Sequence, residues 1–146
     1  MSLLRGRQIL SFLQKSTQIG MINSTNLRIL STKIASFDEV KSVKMNPKTL
    51  LIDVREPHEL QETGVIPDSI NIPLGEVAKV LTNMSSEQFQ KTYNRSKPDS
   101  STPIIFSCRS GKRSALAQEV ATKLGFKNIK NYSGGWLEWE EKNKKG

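Results

Sequence analysis

Cys108 is the only cysteine of the chain, and its thiol can act as a nucleophile. The residues that follow it are of types that can bind an anion. The segment runs Cys108-Arg109-Ser110-Gly111-Lys112-Arg113-Ser114 and follows the apolar residues 104–106. Backbone N–H groups in a tight loop that enters a helix form a nest for an anion, and the helix start adds partial positive charge. Because three basic side chains are also close, we expect a lowered pKa for the Cys108 thiol and a nucleophilic thiolate near neutral pH.

An inert, buried cysteine beside solvated basic residues is the alternative interpretation of this segment. The backbone nest, the helix start, the basic side chains and the conformational freedom of Gly111 all converge on one position. The reactive interpretation is therefore favoured.

A second polar pair follows another apolar run. Asp53 and Arg55 come after residues 50–52 and are two apart, so in a strand their side chains share a face. We expect them to form a structural ion pair that fixes a loop, and not a catalytic pair. His58, the only histidine, follows Pro57 in a polar stretch and is expected to be an exposed helix residue.

The elements that must position these residues indicate an α/β fold. Continuous apolar runs predict strands at residues 50–52 and 104–106, and two further short strands are predicted at residues 70–72 and 129–132. A helix is predicted before the first strand at Ser36 and another between the second and third strands at Ser85, because Ser36 with Glu39 and Ser85 with Gln88 have the spacing of capping boxes. Strands that alternate with helices indicate a mainly parallel central sheet flanked by helices.

Ligands bind to such sheets at the carboxyl ends of the strands, which is where Cys108 falls. Ala117, Val120, Ala121 and Leu124 repeat with helical spacing, so we predict a helix that begins near Ser114. Residues 73–80 and 93–101 are expected to form the wall of the pocket that faces Cys108.

The positive charge of the chain is concentrated at its start. The formal net charge is +8, but residues 1–37 contain five basic residues and no acidic one, which leaves only +3 for the rest. Scattered arginines, many Ser and Thr residues, and Ile9, Leu10 and Leu13 on one possible helix face are typical of a mitochondrial targeting segment. A disordered basic tail is the alternative.

We therefore predict a mitochondrial targeting segment over residues 1–35, one domain over residues 36–142 and a charged tail over residues 143–146. The matrix is the expected compartment.

Composition argues against other classes of protein: one cysteine cannot form an intramolecular disulfide or a cysteine-based zinc site. Apolar runs such as residues 104–106 are far shorter than the ~20 residues that span a bilayer. Nucleic-acid binding is disfavoured because the basic excess lies mostly in the targeting segment.

Four segments of the chain resemble the rhodanese sulfurtransferases, in that family's order. They are Ile-Asp-Val-Arg-Glu-Pro-His-Glu at 52–59, Ile-Pro-Asp-Ser-Ile-Asn-Ile-Pro at 66–73, the segment 108–114, and Tyr-Ser-Gly-Gly-Trp at 132–136 with Trp139. Two departures lie in the second segment: Val65 stands where a histidine is common, and Asp68-Ser69 stand where Gly-Ala is usual. The resemblance implies a single rhodanese-like domain over residues 36–142.

The resemblance also implies a chemistry. Cys108 attacks the outer sulfur of thiosulfate or of a persulfide donor and carries that sulfur as a persulfide. Substrate binding by the anion loop is assigned to Arg109, Ser110, Gly111, Lys112, Arg113 and Ser114. The implied acceptor is glutathione, a thioredoxin-like protein, another thiol or cyanide, and no metal or organic cofactor is required.

Other functions remain open at this stage. The domain could relay sulfur between proteins or act as a docking module without turnover. Phosphatase or arsenate-reductase chemistry is less expected, because the phosphatase-like members of this fold have an arginine six residues after the cysteine. That position is Ser114 here, and Arg113 comes one residue earlier. The sequence carries no signal for the oligomeric state.

Overall fold

A computed structural model describes residues 33–144 of the chain. Four strands form one parallel sheet in the order β2-β1-β3-β4. They are β1 (Leu50–Asp53), β2 (Ser69–Asn71), β3 (Ile104–Ser107) and β4 (Ile129–Asn131). The predicted α/β fold class is confirmed. All but the last three residues of the predicted targeting segment, and the last two of the predicted tail, lie outside the described residues.

Six α-helices accompany these strands within the described range. They are α1 (Phe37–Lys41), α2 (Pro57–Thr63), α3 (Val77–Asn83), α4 (Ser86–Tyr93), α5 (Lys112–Lys123) and α6 (Gly135–Lys144). Short 3₁₀ turns occupy Ser42–Met45 and Leu74–Glu76. No helix among residues 33–144 is both long and apolar enough to cross a bilayer.

The helix ends follow the sequence closely. The Ser36 hydroxyl accepts a hydrogen bond from the Glu39 amide at 3.2 Å, and Ser85 does the same for Gln88 at 3.1 Å. The predicted helix starts with Ser36 and Ser85 as N-caps are confirmed. Helix α5 begins at Lys112, two residues before the predicted start, because Gly111 adopts a left-handed conformation with φ 89° and serves as its N-cap.

Each face of the sheet is covered, as the continuous apolar strands require. Leu50 and Ile52 point to one face, where they pack with residues of α3, α4 and α5. Leu51 points to the other face and packs with residues of α1 and α6. All four residues of β1 and of β3 are buried, so these two central strands form a rigid support for the loops at their carboxyl ends.

The packed part of the chain extends to residues before the predicted domain start. The Asn131 amide donates to the Lys33 carbonyl at 2.8 Å, and the Ala35 amide donates to the Asn131 carbonyl at 2.9 Å. Ile34 forms a parallel bridge with Asn131, and Ala35 is only 2% exposed. Residues 33–35 therefore belong to the fold, whereas a targeting role for the preceding residues stays a prediction.

One expectation about the pocket wall is wrong. The loop between α4 and β3 lies at the amino ends of the strands, because the Ser100 carbonyl accepts from Lys127 and the Pro103 carbonyl accepts from Leu50, both at 2.9 Å. Cys108 lies at the opposite edge of the sheet. Residues 93–101 therefore cannot form the wall that faces it. Leu74, in the other expected wall segment, does lie at the carboxyl edge, where its amide donates to the Val54 carbonyl at 3.0 Å.

Asp68 occupies a backbone position that explains one departure from the family pattern. Its φ is 65°, in the left-handed region that glycine adopts freely and that Asp tolerates better than most residues. Its carboxylate lies 3.6 Å from the Arg95 guanidinium, near the amino edge of the sheet and away from Cys108. The departure therefore concerns local backbone conformation and not the site.

Candidate active site

The Cys108 sulfur lies in the loop between β3 and α5, surrounded by hydrogen-bond donors. The cysteine is 1% exposed. The Gly111 amide donates to Sγ at 3.1 Å, and the hydroxyl of the fully buried Ser114 lies 3.3 Å from Sγ. The loop thus curls back so that its own N–H groups point at the sulfur, as expected of an anion nest at a helix start.

Two opposing effects set the pKa of the Cys108 thiol. Burial raises the pKa because it penalises the charged form, but hydrogen bonds from the Ser114 hydroxyl and from the Ser114, Ser110 and Gly111 amides lower it. The hydrogen bonds prevail, and the net pKa is below the ordinary value of a cysteine. A larger share of the sulfur is therefore thiolate at neutral pH, which is the nucleophilic form.

A second turn packs directly against the cysteine loop and fixes its shape. The Trp136 amide donates to the Cys108 carbonyl at 2.8 Å. A Cβ placed on Gly135 would lie 2.4 Å from the Arg109 carbonyl oxygen, and one placed on Gly111 would lie 2.4 Å from the Ser133 carbonyl oxygen. Both glycines also have positive φ. The two backbone turns can approach this closely only because neither glycine has a side chain.

Asp53 and Arg55 form a buried ion pair beside this turn. The Arg55 guanidinium donates to Asp53 Oδ2 at 2.8 Å, and the two side chains are 1% and 2% exposed. Arg55 also donates to the Thr63 hydroxyl at 2.9 Å and lies 5.1 Å from the centre of the Trp136 ring. Its contacts therefore join the end of β1 to α2 and to the first turn of α6. This arrangement fits a structural role for the pair.

Sequence analysis missed the partner of Arg113. This guanidinium forms two parallel hydrogen bonds with the Glu59 carboxylate, both at 2.8 Å. Glu59 also accepts from the Glu56 amide at 2.8 Å and so closes the capping box of α2. The Arg113 hydrogen bond holds the pKa of Glu59 at about 2, despite an opposing contribution from burial. Arg113 therefore anchors α5 to α2, whereas its predicted role in substrate binding stays a prediction.

Glu59 is the last residue of the family-like segment 52–59, and Glu56 and Glu59 have the spacing of a capping box. That pattern indicates a helix start but gives no information about a partner 54 residues away.

The remaining basic residues of the loop are free to meet a ligand. Arg109 and Lys112 are exposed and form no ion pair with any residue that the structure describes. Ser110 is exposed and contributes its amide, as described above. His58 is exposed on α2, and nothing places it against the sulfur.

The arrangement can perform nucleophilic attack by a preformed thiolate on an anionic electrophile. The N–H groups stabilise negative charge on the sulfur, and the exposed cations favour the approach of an anion. Among residues 33–144 no group of three or more His, Cys, Asp or Glu side chains is placed to hold a metal ion.

Comparison with known proteins identifies the family of the chain. The family model described as the Rhodanese-like domain matches residues 36–142. The Rhodanese domain-containing protein CG4456 of Drosophila melanogaster is 48% identical over 109 residues, which cover 75% of this chain and 97% of that protein. The mitochondrial Thiosulfate sulfurtransferase RDL2 of Saccharomyces cerevisiae is 36% identical, with 77% of this chain and 78% of that protein covered.

A human sequence and a human solved structure are also similar. Thiosulfate:glutathione sulfurtransferase of Homo sapiens is 35% identical over 73% of this chain and 92% of its own length. The solved structure of the human single-domain sulfurtransferase TSTD1 matches with a TM-score of 0.68 and 34% identity, covering 75% of this chain and 96% of that chain.

Replacing Ser114 by alanine tests the hydrogen bonds to the sulfur. Ser114→Ala removes the hydroxyl near Sγ, so the thiol pKa rises and less thiolate is present at neutral pH. Alkylation by iodoacetamide at pH 7 is expected to slow by about threefold to tenfold. Ser133→Ala is the matched control, because the Ser133 side chain is exposed and its own contact with the loop is through the backbone. Equal alkylation rates for the two variants across the pH range would contradict this account.

Proposed function

The chain belongs to the rhodanese-like domain family, and on that premise we propose that it is a thiosulfate sulfurtransferase whose sulfur carrier is Cys108. The observation that carries the proposal is the Gly111 amide 3.1 Å from the Cys108 sulfur, within a loop whose other donors also point at that atom. Such a site stabilises a thiolate before the reaction and a persulfide anion after the first step.

The first step transfers one sulfur atom to the enzyme. The Cys108 thiolate attacks the outer, sulfane sulfur of thiosulfate and forms a new S–S bond. The S–S bond of thiosulfate breaks, and sulfite leaves with its electron pair. The product is a Cys108 persulfide anion, so atoms and charge balance without a proton donor. A general base is not needed, because the attacking group is already deprotonated.

The second step returns the enzyme to its starting state. A thiolate acceptor attacks the outer sulfur of the Cys108 persulfide, the enzyme S–S bond breaks, and the Cys108 thiolate leaves as the product persulfide forms. We propose glutathione as the physiological acceptor, since a similar human protein carries the name thiosulfate:glutathione sulfurtransferase. Cyanide can take the same sulfur to form thiocyanate.

Arg109 and Lys112 are the residues that we assign to attraction of the anionic donor. Both are exposed and lie within four residues of Cys108, whereas the charge of Arg113 is neutralised by Glu59. Thiosulfate carries two negative charges, so two free cations at the entrance raise its local concentration. Their role is in binding and approach more than in the S–S bond exchange itself.

We also propose that the protein works in the mitochondrial matrix. The support is the arginine-containing, acid-free composition of residues 1–35 and the mitochondrial name of a similar yeast protein. A compartment in which thiols stay reduced would supply the acceptor that the second step consumes.

Mass spectrometry of the intact protein tests the sulfur carrier. The wild-type protein treated with thiosulfate is expected to gain the mass of one sulfur atom, and glutathione or cyanide is expected to remove it. Cys108→Ser should gain nothing, because the serine hydroxyl is not ionised at neutral pH. A wild-type protein that gains no sulfur from thiosulfate would overturn the proposed function.

Neutralising the two exposed cations tests their assignment. Arg109→Gln combined with Lys112→Gln is expected to raise KM for thiosulfate by about tenfold, with a smaller change in kcat, and the effect should shrink at high salt. Lys123→Gln, at the far end of α5, is the control for the loss of a surface charge. An unchanged KM in the double variant would refute a role in donor binding.

Fluorescent fusions in cells test the compartment. The full chain is expected to enter mitochondria, whereas a chain with Arg5→Glu, Arg7→Glu and Arg28→Glu is expected to stay outside, because targeting segments need an acid-free basic face. Three matched Lys→Glu changes at Lys44, Lys48 and Lys97 should leave import intact. If both triple variants are imported equally, the targeting assignment of residues 1–35 fails.

A further inference from the structure

Asn131, at the carboxyl end of β4, makes an unusual contact with the cysteine loop. Its side-chain amide Nδ2 donates to the Gly111 carbonyl at 3.1 Å, and the residue is 7% exposed. The Oδ1 atom has no hydrogen-bond partner among the described residues. The orientation of this amide is set by its neighbour, because a flipped side chain would place two acceptor oxygens against each other.

The Gly111 carbonyl is the point where helix α5 begins. Gly111 is the N-cap of α5, and its carbonyl also accepts from the Ala115 amide at 3.2 Å. Its two hydrogen bonds thus come from the first turn of the helix and from Asn131. On the other side of the same residue, the Gly111 amide donates to the Cys108 sulfur. Asn131 therefore holds the carbonyl group of Gly111, whose amide group contacts the nucleophilic sulfur.

The backbone of Asn131 is itself fixed on both sides. It pairs with Phe106 of β3 on one side, and on the other side it exchanges hydrogen bonds with Lys33 and Ala35 at 2.8 and 2.9 Å. A strand residue held in this way can serve as a rigid reference point. Through its side-chain hydrogen bond to Gly111, Asn131 fixes the position of the α5 N-terminus relative to β3, and so to Cys108.

We propose that Asn131 is a positioning residue for the Cys108 thiolate: by holding the Gly111 carbonyl, it fixes the start of α5 and keeps the loop donors aimed at the sulfur. The proposal rests on the proposed function for its consequence in sulfur transfer. Three of the contacts with the sulfur come from Gly111 and from the Ser114 amide and hydroxyl, all at the N-cap and first turn of α5. All three depend on where that helix begins.

Packing alone does not explain an asparagine at this place. A buried amide oxygen without a partner opposes folding, and an apolar side chain of similar volume would fill the same space without that penalty. The one polar contact that the side chain makes is with the residue that also contacts the sulfur. Asn131 therefore fits a site-directed role better than a purely structural one.

The charged groups around the site do not take part in this contact. Arg113 is paired with Glu59, and Arg55 with Asp53. A neutral substitution at Asn131 leaves these pairs in place. A change in thiol ionisation after such a substitution therefore reports on the aim of the hydrogen-bond donors and not on added charge.

The test compares Asn131→Leu with Asn128→Leu in the full chain. Asn128 directly precedes β4 and has an exposed side chain, so its replacement makes the same change of residue type away from the loop. The rate of alkylation by iodoacetamide is measured against pH, and urea unfolding is measured in parallel. We expect Asn131→Leu to move the alkylation profile to higher pH and to slow alkylation at pH 7 by about threefold to tenfold. Asn128→Leu should retain the wild-type profile.

The outcomes separate positioning from stability. A shifted profile in a folded Asn131→Leu protein supports the proposal, whereas an unshifted profile with lower stability shows a structural role only and overturns it. Alkylation needs no sulfur donor, so this result stands apart from the success or failure of sulfur transfer. If Asn131→Leu does not fold, side-chain amide signals of the wild-type protein are followed by NMR through the Cys108 titration. Asn131 signals that fail to move with the titration, or that move equally in Cys108→Ser, would refute the coupling.

Discussion

The contact between two backbone turns is the constraint on which the site depends. One turn carries Cys108 after β3, and the other carries Gly134 and Gly135 after β4. The Trp136 amide bonds to the Cys108 carbonyl, and the chain passes so close at Gly111 and Gly135 that neither can bear a side chain. Because the loop is held from outside, its N–H groups can stay aimed at the sulfur without help from a bound ligand.

Of the cationic side chains near the sulfur, two are paired with carboxylates and two are exposed at the surface. The two guanidinium groups that lie deepest, Arg55 and Arg113, are each matched by a carboxylate and join separate elements of the fold. Stabilisation of the thiolate therefore comes mainly from short-range hydrogen bonds, which burial strengthens and dissolved salt screens little. The free cations, Arg109 and Lys112, lie at the surface, where they can act on a ligand before it reaches the sulfur.

Local signals in the sequence predicted most of the fold, because strands, caps and turns depend on neighbours in the chain. The caps at Ser36 and Ser85 and the strand before Cys108 are examples. Contacts between distant segments gave no such signal: Glu59 with Arg113, and Asn131 with Gly111, join residues 54 and 20 positions apart. The edge of the sheet at which the loop 94–103 lies also depends on tertiary packing. For this reason the expectation that residues 93–101 face Cys108 is wrong.

The hydrogen-bonded thiolate links folding to proton release. In the unfolded chain Cys108 loses its donors and regains an ordinary thiol pKa, so the native state binds this proton less tightly than the unfolded state does. Stability from this residue is complete above the unfolded pKa and is lost as the pH falls through the folded pKa. Glu59, with its pKa near 2, adds a second dependence of the same sign in the acid range. Both groups make the native fold more stable as the pH rises, Glu59 in the acid range and Cys108 towards the alkaline side.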